Sequence, residues 1–273
     1  MKFHNAWLIF KKDWLEIKRN WQVLLPIIIM PLIFSVALPS IIGVIGNMPV
    51  TDTSNNQDFN ELIPNLPPDV QNTLSGMPPN LSMMYIMLVY LFAPMLLIIP
   101  VMVSSVIGSD SFAGENERKT IEALLATPIS DGELLLGKIL VCFIPAMIVT
   151  LVAYSVYIII VDAITFSMFG GILLLPNISW LIMMFGVTPM IALCGIGLTV
   201  MVSSKVKGFK EAQQISIILI LPVLGLIFAQ MMGIILLGPL MLIALIGILA
   251  VVDIAIYYLS VKIFQREEIL AKQ

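Results

Sequence analysis

The chain has 273 residues, of which 59% are hydrophobic and only 11% charged, with a net charge of −3 and a mean hydropathy of +1.04. Soluble domains carry about 45–50% apolar and about 25% charged residues, so a soluble enzyme, a disordered tail and a nucleic-acid binder are all excluded. What remains is an all-α protein that crosses a membrane several times.

Residues 1–20 predict an amphipathic helix. Phe3, Trp7, Phe10, Trp14, Ile17 and Trp21 are spaced 4, 3, 4, 3 and 4 apart. At about 100° per residue they fall within about 40° of one line. Lys11, Lys12, Lys18 and Arg19 lie off that stripe. Aromatic residues opposite cations describe a helix lying in the membrane interface. It anchors the first span at the surface; the sharper alternative is a lever that also touches a cytoplasmic partner.

Five runs free of charge follow: 20–51, 70–109, 139–161, 163–204 and 212–252. A span needs about 20 apolar residues. The fourth and fifth runs are too long to be single helices. Gly170-Gly171 and Pro176-Asn177 cut one of them, and Gly233 and Gly238-Pro239 the other. One transmembrane domain with six spans results: 21–46, 83–108, 134–161, 178–202, 214–229 and 240–264. Residues 47–82 form an outer loop, 109–133 a charged connection and 203–213 a short second one. The apolar piece Ala229–Gly238 reads as a short re-entrant or interfacial segment. A cleaved signal peptide is not expected, because a charged segment of 20 residues precedes the first apolar run.

Charge fixes the orientation. All 14 lysines and arginines fall before the first span, between the second and third, between the fourth and fifth, or after the sixth, with Lys138 and Lys262 in the adjoining ends of the third and sixth. The positive-inside rule then places both termini in the cytoplasm of a multi-pass plasma-membrane protein. The outer loop holds Pro49, Pro64, Pro67, Pro68, Pro78 and Pro79 with four acidic residues and no basic one. Those prolines forbid a long helix there but allow a turn near 68–74.

Little enzymatic chemistry is available. Cys142 and Cys194 sit in apolar runs and read as small buried hydrophobes. The lone histidine, His4, leaves no set of zinc ligands. Gly132-Glu-Leu-Leu-Leu-Gly137-Lys138-Ile139 fits the first seven positions of a phosphate-binding loop. It fails at the eighth, which needs a hydroxyl for magnesium. No cofactor is expected in this chain.

The charged connection is the most informative segment. Glu115–Ala126 reads as a short helix, with acidic residues in its first turn, where the helix dipole favours them. Ile121, Leu124 and Leu125 form an apolar edge, and Thr127-Pro128 ends the helix. Ser130-x-x-Glu133 is a capping box, which starts the next helix at Asp131, ahead of the bilayer. A short helix tied to two spans is either a docking element or a solvated connection.

Phe112-Ala-Gly-Glu115-x-Glu117-Arg-x-Thr120-Ile-Glu-x-Leu-Leu-Ala-Thr-Pro128, followed by Glu133-Leu-x-x-Gly137-Lys138, resembles the coupling segment of type-2 ABC transporter permeases. The amphipathic start, six spans and proline-rich outer loop resemble that family too. The outer piece between spans five and six is shorter and less charged than its pattern. The resemblance implies the membrane subunit of an ATP-driven exporter, with a cytoplasmic coupling helix docked on a separate nucleotide-binding ATPase subunit. ATP and Mg would be bound by that partner, and a second permease copy or paralogue would complete the transporter in the lipid membrane, with no nucleic acid involved. By the same resemblance Glu115, Glu117, Arg118 and Thr120 are the ATPase contacts, and Pro94, Pro100 and Pro145 mark kinks in moving helices.

The rival reading is an ion-coupled secondary transporter built on Asp253, whose neighbours in the sixth span are apolar. A central ionised carboxylate costs roughly 2.5–3.5 kcal/mol to insert and needs a partner, water or a proton.

Overall fold

The computed structural model describes residues 3–46, 71, 73–74, 77–118, 120, 129–203, 206, 208–232 and 238–263. The described residues form helices and turns, with no strand. Helix α1 is Phe3–Ile17. Six further helices are long and apolar enough to cross a membrane. They are α2 (Trp21–Ile45), α3 (Pro79–Gly114), α5 (Ile178–Ser203) and α6 (Phe209–Gln230), with α4 (Asp131–Thr165) and α7 (Pro239–Ile263). The chain is therefore an all-α membrane protein.

Helix α3 is the hub. It packs on α2, α4, α5 and α6, and 67% of its apolar stretch is buried, against 11% for α7. Helix α7 rests mainly on α5. Helix α1 lies along the first turns of α4.

Prolines shape the spans. Wide π-type turns at Ile33–Ala37, Met87–Leu91 and Met183–Val187 stand just ahead of Pro39, Pro94 and Pro189. A proline ring crowds the carbonyl four residues back and donates no hydrogen bond, so the helix widens to accommodate it. Side chains complete the backbone bonding. Thr188 Oγ1 donates to the Met183 carbonyl at 3.0 Å. The Leu88 carbonyl accepts from the Tyr157 hydroxyl at 2.7 Å, and the Val89 carbonyl from Trp180 Nε1 at 2.9 Å. Trp180 also stacks on Tyr157 at 5.1 Å and meets Tyr154 edge-on at 5.7 Å. These three buried aromatics tie α3 to α4 and α5.

At the end away from the charges, α4 and α5 join through a turn at Gly170-Gly171. Asp162 Oδ1 accepts from the Leu174 and Leu175 amides at 3.0 and 3.1 Å, and the Asn177 side chain caps α5 through the Trp180 amide at 3.0 Å. Beyond the last turn of α6, residues 233–237 of the proposed re-entrant piece lie outside the described residues, as do 47–70 of the outer loop.

Candidate functional site

Charge in this chain concentrates where α1, the end of α3, the start of α4 and the start of α6 meet. The α3 helix ends in a fourth wide turn, Asp110–Gly114, which no proline explains, and continues as helix through Glu115–Glu117. Residues 121–128 of the Glu115–Ala126 helix lie outside the described residues.

Lys138 is the centre of the cluster. It is fully buried. Its ammonium donates to Glu115 Oε2 and to the Ser111 carbonyl. It lies 3.9 Å from Asp13 Oδ2 and 5.0 Å from the centre of the Phe112 ring. Ser111 Oγ donates to Asp13 Oδ2 at 2.8 Å. Lys12 Nζ donates to the other Glu115 oxygen at 2.6 Å and lies 3.2 Å from Asp13. The pair Asp110 and Arg118 forms the outer part. Arg118 donates to Asp110 Oδ1 at 3.0 Å, and so does Asn20 Nδ2 at 3.2 Å. Asn20 also caps α2 by accepting from the Gln22 amide.

The electrostatics follow from this geometry. Burial disfavours the charge on Glu115, but Lys138 and the hydrogen bonds from Lys12 and Lys138 outweigh it, so its pKa falls below the ordinary glutamate value. Burial likewise opposes the Lys12 charge, and Glu115, Asp13 and Glu16 overcome it, so its pKa rises. The Arg118 pKa rises against burial through its bond to Asp110. Asp13, Glu16 and Glu115 bring oxygens within 4.8 Å of one another. The Lys12 and Lys138 ammonium groups already bond these carboxylates, so the arrangement is an ion-pair network rather than a metal site.

Two close approaches make the assembly fit. A Cβ on Gly137 would stand 2.8 Å from the Ala6 carbonyl oxygen and 2.8 Å from Ile9 Cβ, so glycine lets α1 lie against α4. Asn5 Nδ2 adds a bond to Glu133 at 2.9 Å, beside the capping box that Ser130 and Glu133 form. A Cβ on Gly208 would meet Glu117 Oε2 at 2.6 Å. That oxygen accepts from the Phe209 amide at 2.9 Å, the first amide of α6. A carboxylate there satisfies an unpaired donor and favours the helix dipole.

The residues expected to contact an ATPase therefore occupy different positions. Glu115 is only 1% exposed and faces inward. Glu117, Arg118 and Thr120 are exposed. Thr120 bonds back to the Glu115 carbonyl through its amide, at 3.0 Å, and through its hydroxyl. The phosphate-loop look-alike at 132–139 is helical, and its lysine is sealed inside the network.

Sequence reasoning missed the partners on α1. The aromatic stripe is real: Trp7, Phe10 and Trp14 stack in series. But the face pressed on α4 is Ala6, Ile9, Phe10, Asp13 and Ile17, turned about 60° from the stripe. Asp13 among apolar neighbours at helical spacing was the available signal of a buried ion pair.

Cavities among the described residues also lie away from this cluster. One of about 240 Å³ between α3 and α6 is lined by Ser105, Gln213, Gln214 and Ser216 among apolar residues. Another of about 450 Å³ between α4, α5 and α7 holds Asp253. Comparison with individual curated proteins gave no match. A family model described as ABC-2 family transporter protein matches residues 7–267.

Proposed function

The chain belongs to the ABC-2 family of transporter proteins and is a permease of an ABC transporter, and from that premise we propose that it drives export from the cytoplasm under the control of a separate ATP-hydrolysing subunit. That subunit binds ATP and Mg, and it docks on the charged end of the bundle. Glu117, Arg118 and Thr120 face it. Glu115 acts from inside as a positioning residue, holding the segment against Lys138 and Lys12. Both termini then lie in the cytoplasm of a plasma-membrane protein. A second permease copy or a paralogue completes the pathway, with the polar cavity between α3 and α6 in its lining.

One observation carries this reading: the short segment 115–120 is bonded at once to α1 through Lys12, to α4 through Lys138 and to α6 through the Phe209 amide. A push on the segment reaches three helices through charge-assisted hydrogen bonds, which are the strong ones. The ion-coupled alternative loses support with the family, and among the described residues that line the Asp253 cavity there is no second carboxylate, lysine, arginine or histidine for an ion relay.

The test is a pull-down of the tagged chain from its native membrane in mild detergent, followed by an ATPase assay of the eluate. We expect a co-purifying ATPase subunit and activity that drops when Glu117 is changed to alanine. Elution without an ATPase would reject the reading.

A further inference from the structure

The carboxylate of Asp253 is an unexplained ionisable group of the membrane-spanning region. Both of its oxygens are buried, and neither has a hydrogen-bond partner among the described residues. Asp253 is part of the wall of the cavity of about 450 Å³ between α4, α5 and α7, a volume within the roughly 300–1,000 Å³ of small-molecule sites. The walls are aliphatic: Leu135, Ile139, Ile196, Val200 and Ile256. Tyr257 and Tyr258, both more than half exposed, line the same cavity on α7. The Ser260 hydroxyl there is already committed to the Gly197 carbonyl at 3.2 Å.

The chemistry of the walls selects the occupant. An anion is repelled by the carboxylate. A divalent cation needs several oxygen ligands, and among the described residues this cavity offers one carboxylate in an aliphatic setting. A neutral apolar molecule fills the walls but leaves the carboxylate unpaired, which is costly. A proton neutralises the charge and leaves the walls empty. An ammonium group on an apolar tail answers both requirements. Its N–H groups pair with the carboxylate, its tail covers the aliphatic walls, and the tyrosine rings add cation–π attraction. We propose that the α4–α5–α7 cavity binds a single-chain ammonium amphiphile, with Asp253 as its charge partner. The cavity reaches the first turns of α4 through Leu135 and Ile139, and equilibrium binding to the chain alone tests it without an ATPase.

The experiment uses the full-length chain in phosphatidylcholine nanodiscs. Two probes are compared: a dodecylamine carrying a photoreactive diazirine on its chain, and the matching dodecanol. After irradiation the adducts are mapped to peptides. The amine is expected to label the peptides around Ile196–Val200 and Ile254–Tyr258, in competition with unlabelled dodecylamine. Asp253→Asn should reduce that labelling at least about tenfold, a loss of about 1.4 kcal/mol in binding. Asp253→Glu should retain most of it, and Ile196→Trp, which fills the cavity while keeping the charge, should abolish it. Equal labelling by the alcohol, undiminished amine labelling in Asp253→Asn, or adducts confined to other helices would overturn the proposal. Displacement of the amine by phosphatidylethanolamine at the same mole fraction would overturn the single-chain occupant and assign the groove to bilayer lipid.

Discussion

A lysine near the start of a membrane helix is usually taken as a mark of orientation, its head reaching for water. Lys138 does the opposite: it is fully buried and bonded to Glu115. Removing one partner of a buried pair leaves the other charge stranded, at a cost of about 3–5 kcal/mol. Lys138→Met should therefore destabilise the chain by about that amount in thermal unfolding in mild detergent. Adding Glu115→Gln should recover part of the loss, so that the double variant falls short of the sum of the singles. Additive losses would show that the two side chains are not coupled. Acid gives a second handle. The folded pKa of Glu115 lies below its unfolded value of 4.5, so its ionised form stabilises the fold above pH 4.5. That contribution is lost as pH falls through the lower folded value. The melting temperature of the wild type should drop more steeply below pH 4.5 than that of Glu115→Gln; parallel curves would reject the role given to this carboxylate.

At the level of elements, apolar runs and turn residues were enough to count the six long apolar helices. The Ser130–Glu133 capping box starts α4, and turn residues at Gly170-Gly171 interrupt the fourth apolar run. The rotation of α1 was not legible. Its aromatic stripe suits lipid, while the packing face is set by what α4 offers, namely the gap at Gly137 and the charge of Lys138. Such a choice depends on a partner more than a hundred residues away. The wide turns were legible only as prolines; the one at Asp110–Gly114 has no proline and coincides with the ion network, where π-type turns often mark function. Gly137→Leu should push α1 from α4 and destabilise the fold by about 1–3 kcal/mol, with a shift in tryptophan fluorescence as Trp7 and Trp14 change surroundings. Full stability and an unchanged spectrum would mean that α1 does not depend on that contact.

For the whole molecule, the segregation of all 14 basic residues predicts which surface faces the cytoplasm. Single cysteines at Lys11 and Lys210, in a chain whose Cys142 and Cys194 are changed to alanine, should react with a membrane-impermeant maleimide only in inside-out vesicles. One at Leu173 should react only in right-side-out vesicles or cells. The reverse pattern would invert the topology. The proposed docking residues come from the segment's motif alone; their division into inward Glu115 and outward Glu117, Arg118 and Thr120 was not legible. That division depends on Lys12 and Lys138, which are distant in sequence. The most direct test of the account is photocrosslinking with benzoylphenylalanine introduced at Thr120, with Leu173 at the opposite end as control, in membranes that contain the complete transporter. The account predicts an adduct between position 120 and the ATP-binding subunit, and none from position 173. No adduct at 120, with one at 173, would contradict docking at the charged end.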